Sequence, residues 1–100
     1  MIKHVVMWRL KETAEEASKA ENAQKMKELL MSLVGVVEEI KHFEVGLNYL
    51  ESDAAYDVVL ISEFEDKDSL NRYQVHPEHK KVGAFIGKVR SERVVVDYDF

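Results

Sequence analysis

The sequence predicts one α+β domain over residues 1–100, built in the order β-α-β-β-α-β. Four segments alternate apolar and polar residues with the period of a strand, and amphipathic stretches of helical spacing separate the first from the second and the third from the fourth. No Pro/Gly/Ser-rich linker, repeat or low-complexity run divides the chain, whose one proline is Pro77.

The first strand runs from Ile2 to Leu10. Ile2, His4, Val6, Trp8 and Leu10 fall on one side of an extended chain and Val5 and Met7 on the other, so both faces are apolar. Thr13-Ala-Glu-Glu16 has the form of a capping box and predicts that a helix begins there. Its apolar stripe is Ala23, Met26, Leu29, Leu30, Leu33 and Val37, and Gly35 is available to end it. In the second strand Phe43, Val45, Leu47 and Tyr49 alternate with His42, Glu44, Gly46 and Asn48, which predicts an edge strand with one wet face. Glu51 to Ala55 turns the chain back into a third strand, Tyr56 to Phe64. Asp57-Val-Val-Leu-Ile61 is apolar on both sides there and predicts a central position.

Asp66 or Asp68 can cap a short helix carrying Leu70, Tyr73 and Gln74. The residue before a proline is pushed out of helical geometry, so this helix breaks at His76, and Pro77 suits the first position of another. The inward stripe of that helix is His79, Val82, Gly83, Ile86 and Val89. In the last strand, Glu92 to Phe100, the apolar row Val94, Val96, Tyr98 and Phe100 alternates with Arg93, Val95, Asp97 and Asp99.

This order, with the second helix split at Pro77, is the ferredoxin-like arrangement: a four-stranded antiparallel sheet, helices on one face, strands one and three central. Val5, Met7, Val59 and Ile61 or their neighbours then face the other side, where the chain has nothing left to cover them. Leaving several aliphatic side chains wet forfeits roughly 1.5–3 kcal/mol each, a sum comparable to the whole stability of a small domain. A second copy packed sheet to sheet is the expected cover, which gives a homodimeric α/β barrel.

Composition narrows the function classes. Apolar residues make up 46% and charged residues 33%, the balance of a globular rather than a disordered or membrane-spanning chain. A net charge of -5 with no isolated basic cluster argues against nucleic acid as a partner. The absence of cysteine excludes disulfides and thiolate chemistry and suits a reducing compartment. The first residues show no continuous apolar leader, so the expected location is cytoplasmic, without membrane attachment.

Ile2-Lys-His-Val-Val-Met-Trp-Arg-Leu10 at the start, and Tyr73-Gln-Val-His-Pro-Glu-His79 through Val94-Val-Val-Asp-Tyr98 near the end, resemble the stress-responsive A/B barrel family. The Tyr-x-x-His-Pro-x-His segment followed by a Val-rich final strand is the most specific part. The resemblance implies a dimeric α+β barrel with a cavity between sheet and helices in each subunit. Many members are of undefined role, while a plant polyketide cyclase of the family performs an aldol-type ring closure. Its functional tyrosine and histidine fall on Tyr73 and His79, and a pocket-lining histidine falls on His4. His4, Val6 and Trp8 on the first strand, with His76, Val82 and Ile86 on the helical side, are the ligand-binding candidates this implies.

The residues support the same chemistry independently. A histidine on an otherwise apolar helix face is held neutral by burial, as a base must be, and Tyr73 lies just across the Pro77 break, where its phenol can polarise a carbonyl. The pair suits proton abstraction beside a carbonyl, as in aldol closure or tautomerisation, with neither metal nor cofactor. Against this stands the plainer expectation that such a histidine bonds a carbonyl and such a tyrosine anchors a helix. His4 serves equally as a cross-strand partner, and His76 as the closure of its turn. His76-x-x-His79 offers two imidazoles, but Pro77 spoils their registry and no metal is expected. Asp97 and Asp99 are expected on a solvated edge, with a hard cation at a subunit interface the lesser reading. Trp8, Phe43, Phe64 and Phe85 are expected in the core. A non-enzymatic stress-associated structural or interaction protein, and a cofactor-free monooxygenase-like enzyme, are the competing functions.

Overall fold

The computed structural model describes residues 1–100. Its elements are β1 (Ile2–Leu10), β2 (Thr13–Ala14), β3 (Ala17–Ser18), α1 (Lys19–Met31), β4 (His42–Leu47), β5 (Val58–Phe64), α2 (Lys67–Val75), α3 (Pro77–Val89) and β6 (Arg90–Asp99). β4, β5, β1 and β6 lie side by side in that order, each antiparallel to its neighbour. The fold is the ferredoxin-like α+β fold, with the two strands that are apolar on both faces, β1 and β5, at its centre. β4 is an edge strand, as its wet face requires.

The helix-facing rows of β1 and β5, among them Val6, Trp8, Val58, Leu60 and Phe64, form one core with Met26 and Leu30 of α1, Tyr73 of α2, and Val82, Ile86 and Val89 of α3. A buried large side chain contributes about 1.5–3 kcal/mol, so this layer carries most of the stability.

The helix begins later than Thr13-Ala-Glu-Glu16 predicts. Thr13–Ala14 and Ala17–Ser18 instead pair as a two-stranded hairpin, with Glu15 (φ 50°) and Glu16 (φ 60°) in the left-handed region at its tip. Two successive positive φ values define the tight turn that matches strand twist. The working capping box is Ser18 to Glu21: the Glu21 amide donates to Ser18 Oγ at 3.2 Å, and the Ser18 amide donates to Glu21 Oε1 at 3.1 Å. Asn22 Nδ2 donates to the Ala14 carbonyl at 2.9 Å and ties the hairpin to the helix. Ser18→Ala is therefore expected to lower unfolding stability by about 1 kcal/mol, and Thr13→Ala by much less; urea denaturation of the two variants checks it.

The far end of the stripe departs from the helix too. α1 stops at Met31, while Leu33 and Val37 stay buried in the turns that follow, where Gly35 sits at φ 86°, a conformation that favours glycine. Tyr49, expected to continue the inward row of the second strand, lies beyond the end of β4 and is 96% exposed. The break at Pro77 is where the sequence predicts it. Asp66 caps α2 by accepting from the Ser69 amide at 2.8 Å, and His76 is extended (φ −60°, ψ 134°) between the helices.

The opposite side of the sheet is bare within one chain. Val5 lies opposite Ile61 and Val96, and Met7 opposite Val59 and Val94, so these residues and Tyr98 share a face that no helix covers. Met7 is 40% and Val96 61% exposed. Lys3–Glu63 (3.7 Å) and Arg9–Glu92 (3.4 Å) ion pairs flank the patch. No helix is long and apolar enough to cross a membrane.

Candidate functional site

The break between α2 and α3 sets the geometry. His76 Nδ1 accepts from the Glu78 amide at 3.1 Å, capping α3, so His76 does the local work of the turn. Pro77 starts α3 one residue later, and the first turn of that helix brings His79 against Tyr73 of α2, with ring centroids 4.4 Å apart.

A cavity of about 210 Å³ opens between the sheet and the helices. It brings together His4, Val6, Trp8, Tyr73, His79, Val82 and Ile86 of the candidate residues, while His76 does not line it. The remaining lining includes Leu60, Gly83 and Gly87, together with Arg90 and Arg93 of β6. The volume lies below the roughly 300–1,000 Å³ of pockets for drug-sized ligands, so only a small occupant fits.

His79 Nδ1 lies 3.1 Å from the Gln74 carbonyl oxygen. A carbonyl can only accept, so Nδ1 carries the proton and Nε2 is the free nitrogen. Burial lowers the pKa of His79 below its usual value. The Gln74 carbonyl opposes that shift, and the positive charge of Arg93 reinforces it. The ring is thus neutral near pH 7, with a lone pair on Nε2.

Tyr73 is fully buried and its hydroxyl has no hydrogen-bond partner in the protein. Burial pushes its pKa up, with Arg93 opposing, so it stays a phenol over the physiological range. The rings of Phe64 (4.9 Å), Phe43 (6.0 Å) and His4 (6.3 Å) surround it. Trp8 Nε1 is a second buried donor without a partner in the same wall. Leaving such groups unpaired costs about 1–3 kcal/mol each, which a polar ligand atom would recover.

Asp97 lies on the edge strand β6 with its side chain 40% exposed, as the sequence leads one to expect; what the sequence does not show is that it sits opposite His4 in register, on the helix side of the sheet, where its carboxylate accepts from His4 Nδ1. That bond, with the Ser62 hydroxyl donating to the His4 carbonyl at 3.0 Å, fixes the His4 ring at the end of the cavity wall. Arg90 and Arg93 are cavity residues that the sequence alone does not single out, and Asp97, weighed from the sequence only for an edge or a cation, enters as the partner of His4. Their signal is the alternation Arg93-x-Val95-x-Asp97, which joins the cavity face only once β6 is registered on β1. No group of three or more His, Cys, Asp or Glu side chains is gathered as a metal ion would need.

A larger, open groove of about 790 Å³ runs between the start of α1 and the loop over 48–57. Its cations are engaged within the chain: Lys19 pairs with Glu12 (3.0 Å) and Asp57 (3.8 Å), and Arg9 donates to the Asp53 carbonyl (3.0 Å).

A family profile described as the stress responsive A/B barrel domain matches residues 2–100. The chain is 29% identical to an uncharacterized protein of Streptomyces coelicolor over the full length of both. A crystal structure of a dimeric protein of unknown function with a ferredoxin-like fold, from Bacteroides fragilis, is 29% identical with a TM-score of 0.83, covering 99% of this chain and 95% of that one. The hydroxynitrile lyase of Passiflora edulis superimposes with a TM-score of 0.80 at 15% identity, over 97% of this chain and 90% of the enzyme; at that identity the likeness is one of fold alone.

Proposed function

The chain belongs to the stress responsive A/B barrel domain family, and from there we propose that it is a homodimer whose helix–sheet cavities each bind a small apolar or aromatic carbonyl compound and move a proton next to the carbonyl. The pairing of copies is supported by the uncovered row of Val5, Met7, Val59, Ile61, Val94 and Val96, and by the dimeric relative of 29% identity. A chain without cysteine suits the reducing cytoplasm, where we place it.

The single observation that carries the chemistry is the Tyr73–His79 pair: two rings 4.4 Å apart in one cavity, the imidazole biased neutral and the phenol biased protonated. In this reading His79 Nε2 takes the proton from the carbon beside the carbonyl. The C–H bonding pair moves into the new C=C bond, the carbonyl π pair moves onto oxygen, and the Tyr73 hydroxyl donates to that oxygen as its charge grows. The imidazolium then returns its proton, to the enolate oxygen to give the enol or to carbon to give the ketone back; or the enolate carbon bonds to a second carbonyl carbon of the same molecule, whose π pair moves onto its oxygen and takes the imidazolium proton, closing the ring. No cofactor takes part.

Solvent deuterium incorporation beside the carbonyl of 4-phenylbutan-2-one, followed by proton NMR, tests the reading. Exchange faster than buffer is expected, together with a change in the emission of Trp8, which lines the cavity. Gly83→Phe should abolish both. A Cβ added at Gly83 meets no atom within 4 Å, so the larger side chain grows into open space rather than into the core. Gly83→Ala, which replaces a helical glycine, should raise stability by about 1 kcal/mol. Exchange at the buffer rate would sink the catalytic half of the proposal, and an unresponsive Trp8 the binding half.

A further inference from the structure

The cavity holds more positive charge than proton transfer needs. Arg90 and Arg93 line it and no Asp or Glu does. Neither arginine has an ion-pair partner in the chain, whereas Arg9 and Arg72 each do. Asp97, the nearest carboxylate along the same strand row, is taken by His4. Arg93 lies opposite Trp8 in register, on the helix side of the sheet, and so is turned away from the face through which two copies would pair. Both arginines are exposed residues, which places them where the cavity meets solvent.

We infer that the ligand of this cavity is an anion: a small carbonyl compound bearing a carboxylate, which the Arg93 guanidinium receives at the mouth, with Arg90 adding to the field, while its carbonyl end reaches Tyr73 and His79. This deepens the proposed function and rests on the cavity being a ligand site. The planar fork of a guanidinium matches the two oxygens of a carboxylate, and an unpaired arginine facing a partly dry cavity is a receptor for that geometry. The unpartnered Trp8 indole N–H in the same wall offers a further donor to an acceptor-rich ligand. A neutral ketone of the same shape leaves both arginines without a counter-charge. The charge of Arg93 is felt at both reacting residues, favouring neutral His79 and tempering the upward push on Tyr73, so a bound carboxylate would also retune the pair.

The test compares 4-phenyl-2-oxobutanoate with 4-phenylbutan-2-one, which replaces the carboxylate by a methyl group, using titration calorimetry and the emission of Trp8, the chain's one tryptophan. The oxo acid is expected to bind about tenfold or more tightly, with the advantage shrinking as salt rises. Arg93→Gln, at an exposed position of an edge strand, should erase most of the advantage, and Arg90→Gln a smaller part. Equal affinities, or a preference that survives both substitutions, would overturn the anion assignment while leaving the cavity a site for neutral carbonyls. Binding of neither compound would overturn the cavity reading and this inference with it.

Discussion

Val96→Asp is expected to convert the proposed dimer into a monomer, raising its dissociation constant by about a thousandfold or more. Val96 lies on the edge strand β6, opposite Val5 of the central β1 on the uncovered sheet face, and is 61% exposed in one chain. In a two-fold pairing the same patch meets itself, so one substitution places two carboxylates in the shared layer. Removing an unpaired carboxylate from water costs several kcal/mol, and about 4 kcal/mol in all accounts for a factor of a thousand. The Lys3–Glu63 and Arg9–Glu92 pairs at the margins of the patch are already matched and offer the new charges little relief. Val34→Asp is the control, because Val34 is equally apolar and 48% exposed but lies in the turns after α1, away from the sheet. Sedimentation velocity across a dilution series reads the result. A wild-type chain that is already monomeric, or a Val96→Asp chain that still pairs, would remove the second subunit from the account.

The same face shows how far the amino-acid sequence alone reveals the fold. β1 and β5 announce central positions because Val5, Met7, Val59 and Ile61 are apolar on the side that an edge strand would leave polar. The break between α2 and α3 is legible because Pro77 removes a donor and restricts His76, which is local steric chemistry. The helix start is not, since Thr13-x-x-Glu16 and Ser18-x-x-Glu21 are equivalent as patterns. The choice is made by the Glu15–Glu16 turn and by Asn22 bonding back to Ala14, and the latter exists only after the chain has folded over. β6 is ambiguous for a related reason. Val94, Val95 and Val96 put apolar residues on both sides, so alternation alone leaves open which row meets the helices, and a one-residue slip in register exchanges the rows. Tyr73 and His79 can therefore be found from their places around the break, whereas Arg93 and Asp97 become neighbours of the cavity only through strand pairing.

His79→Ala is expected to lower the rate of deuterium exchange beside a bound carbonyl by about 10²–10⁴-fold, the range that a positioned general base supplies. Its pH dependence separates a base from a residue that merely packs. Because burial lowers the pKa of His79, the active neutral form dominates above a value lying below the usual histidine pKa of about 6.5. The wild-type kcat/KM should rise with pH on the acid side, through that lowered value, and then stay flat. Burial also delays the ionisation of Tyr73 beyond the ordinary tyrosine range, so no alkaline fall is expected up to about pH 10. Tyr73→Phe should reduce the plateau without moving the acid limb, whereas His79→Ala should remove the limb. Stability is linked with the same sign. The unfolded chain takes up the proton on His79 more readily than the folded one, so the histidine costs no stability above its unfolded pKa. Stability is then lost as pH falls from that value toward the folded one. His79→Ala should flatten this part of the stability curve, measured by urea unfolding between pH 7 and pH 5. An acid limb that persists in His79→Ala would assign the base to another group of the same cavity, and His4, held by Asp97, is the one remaining imidazole in its lining.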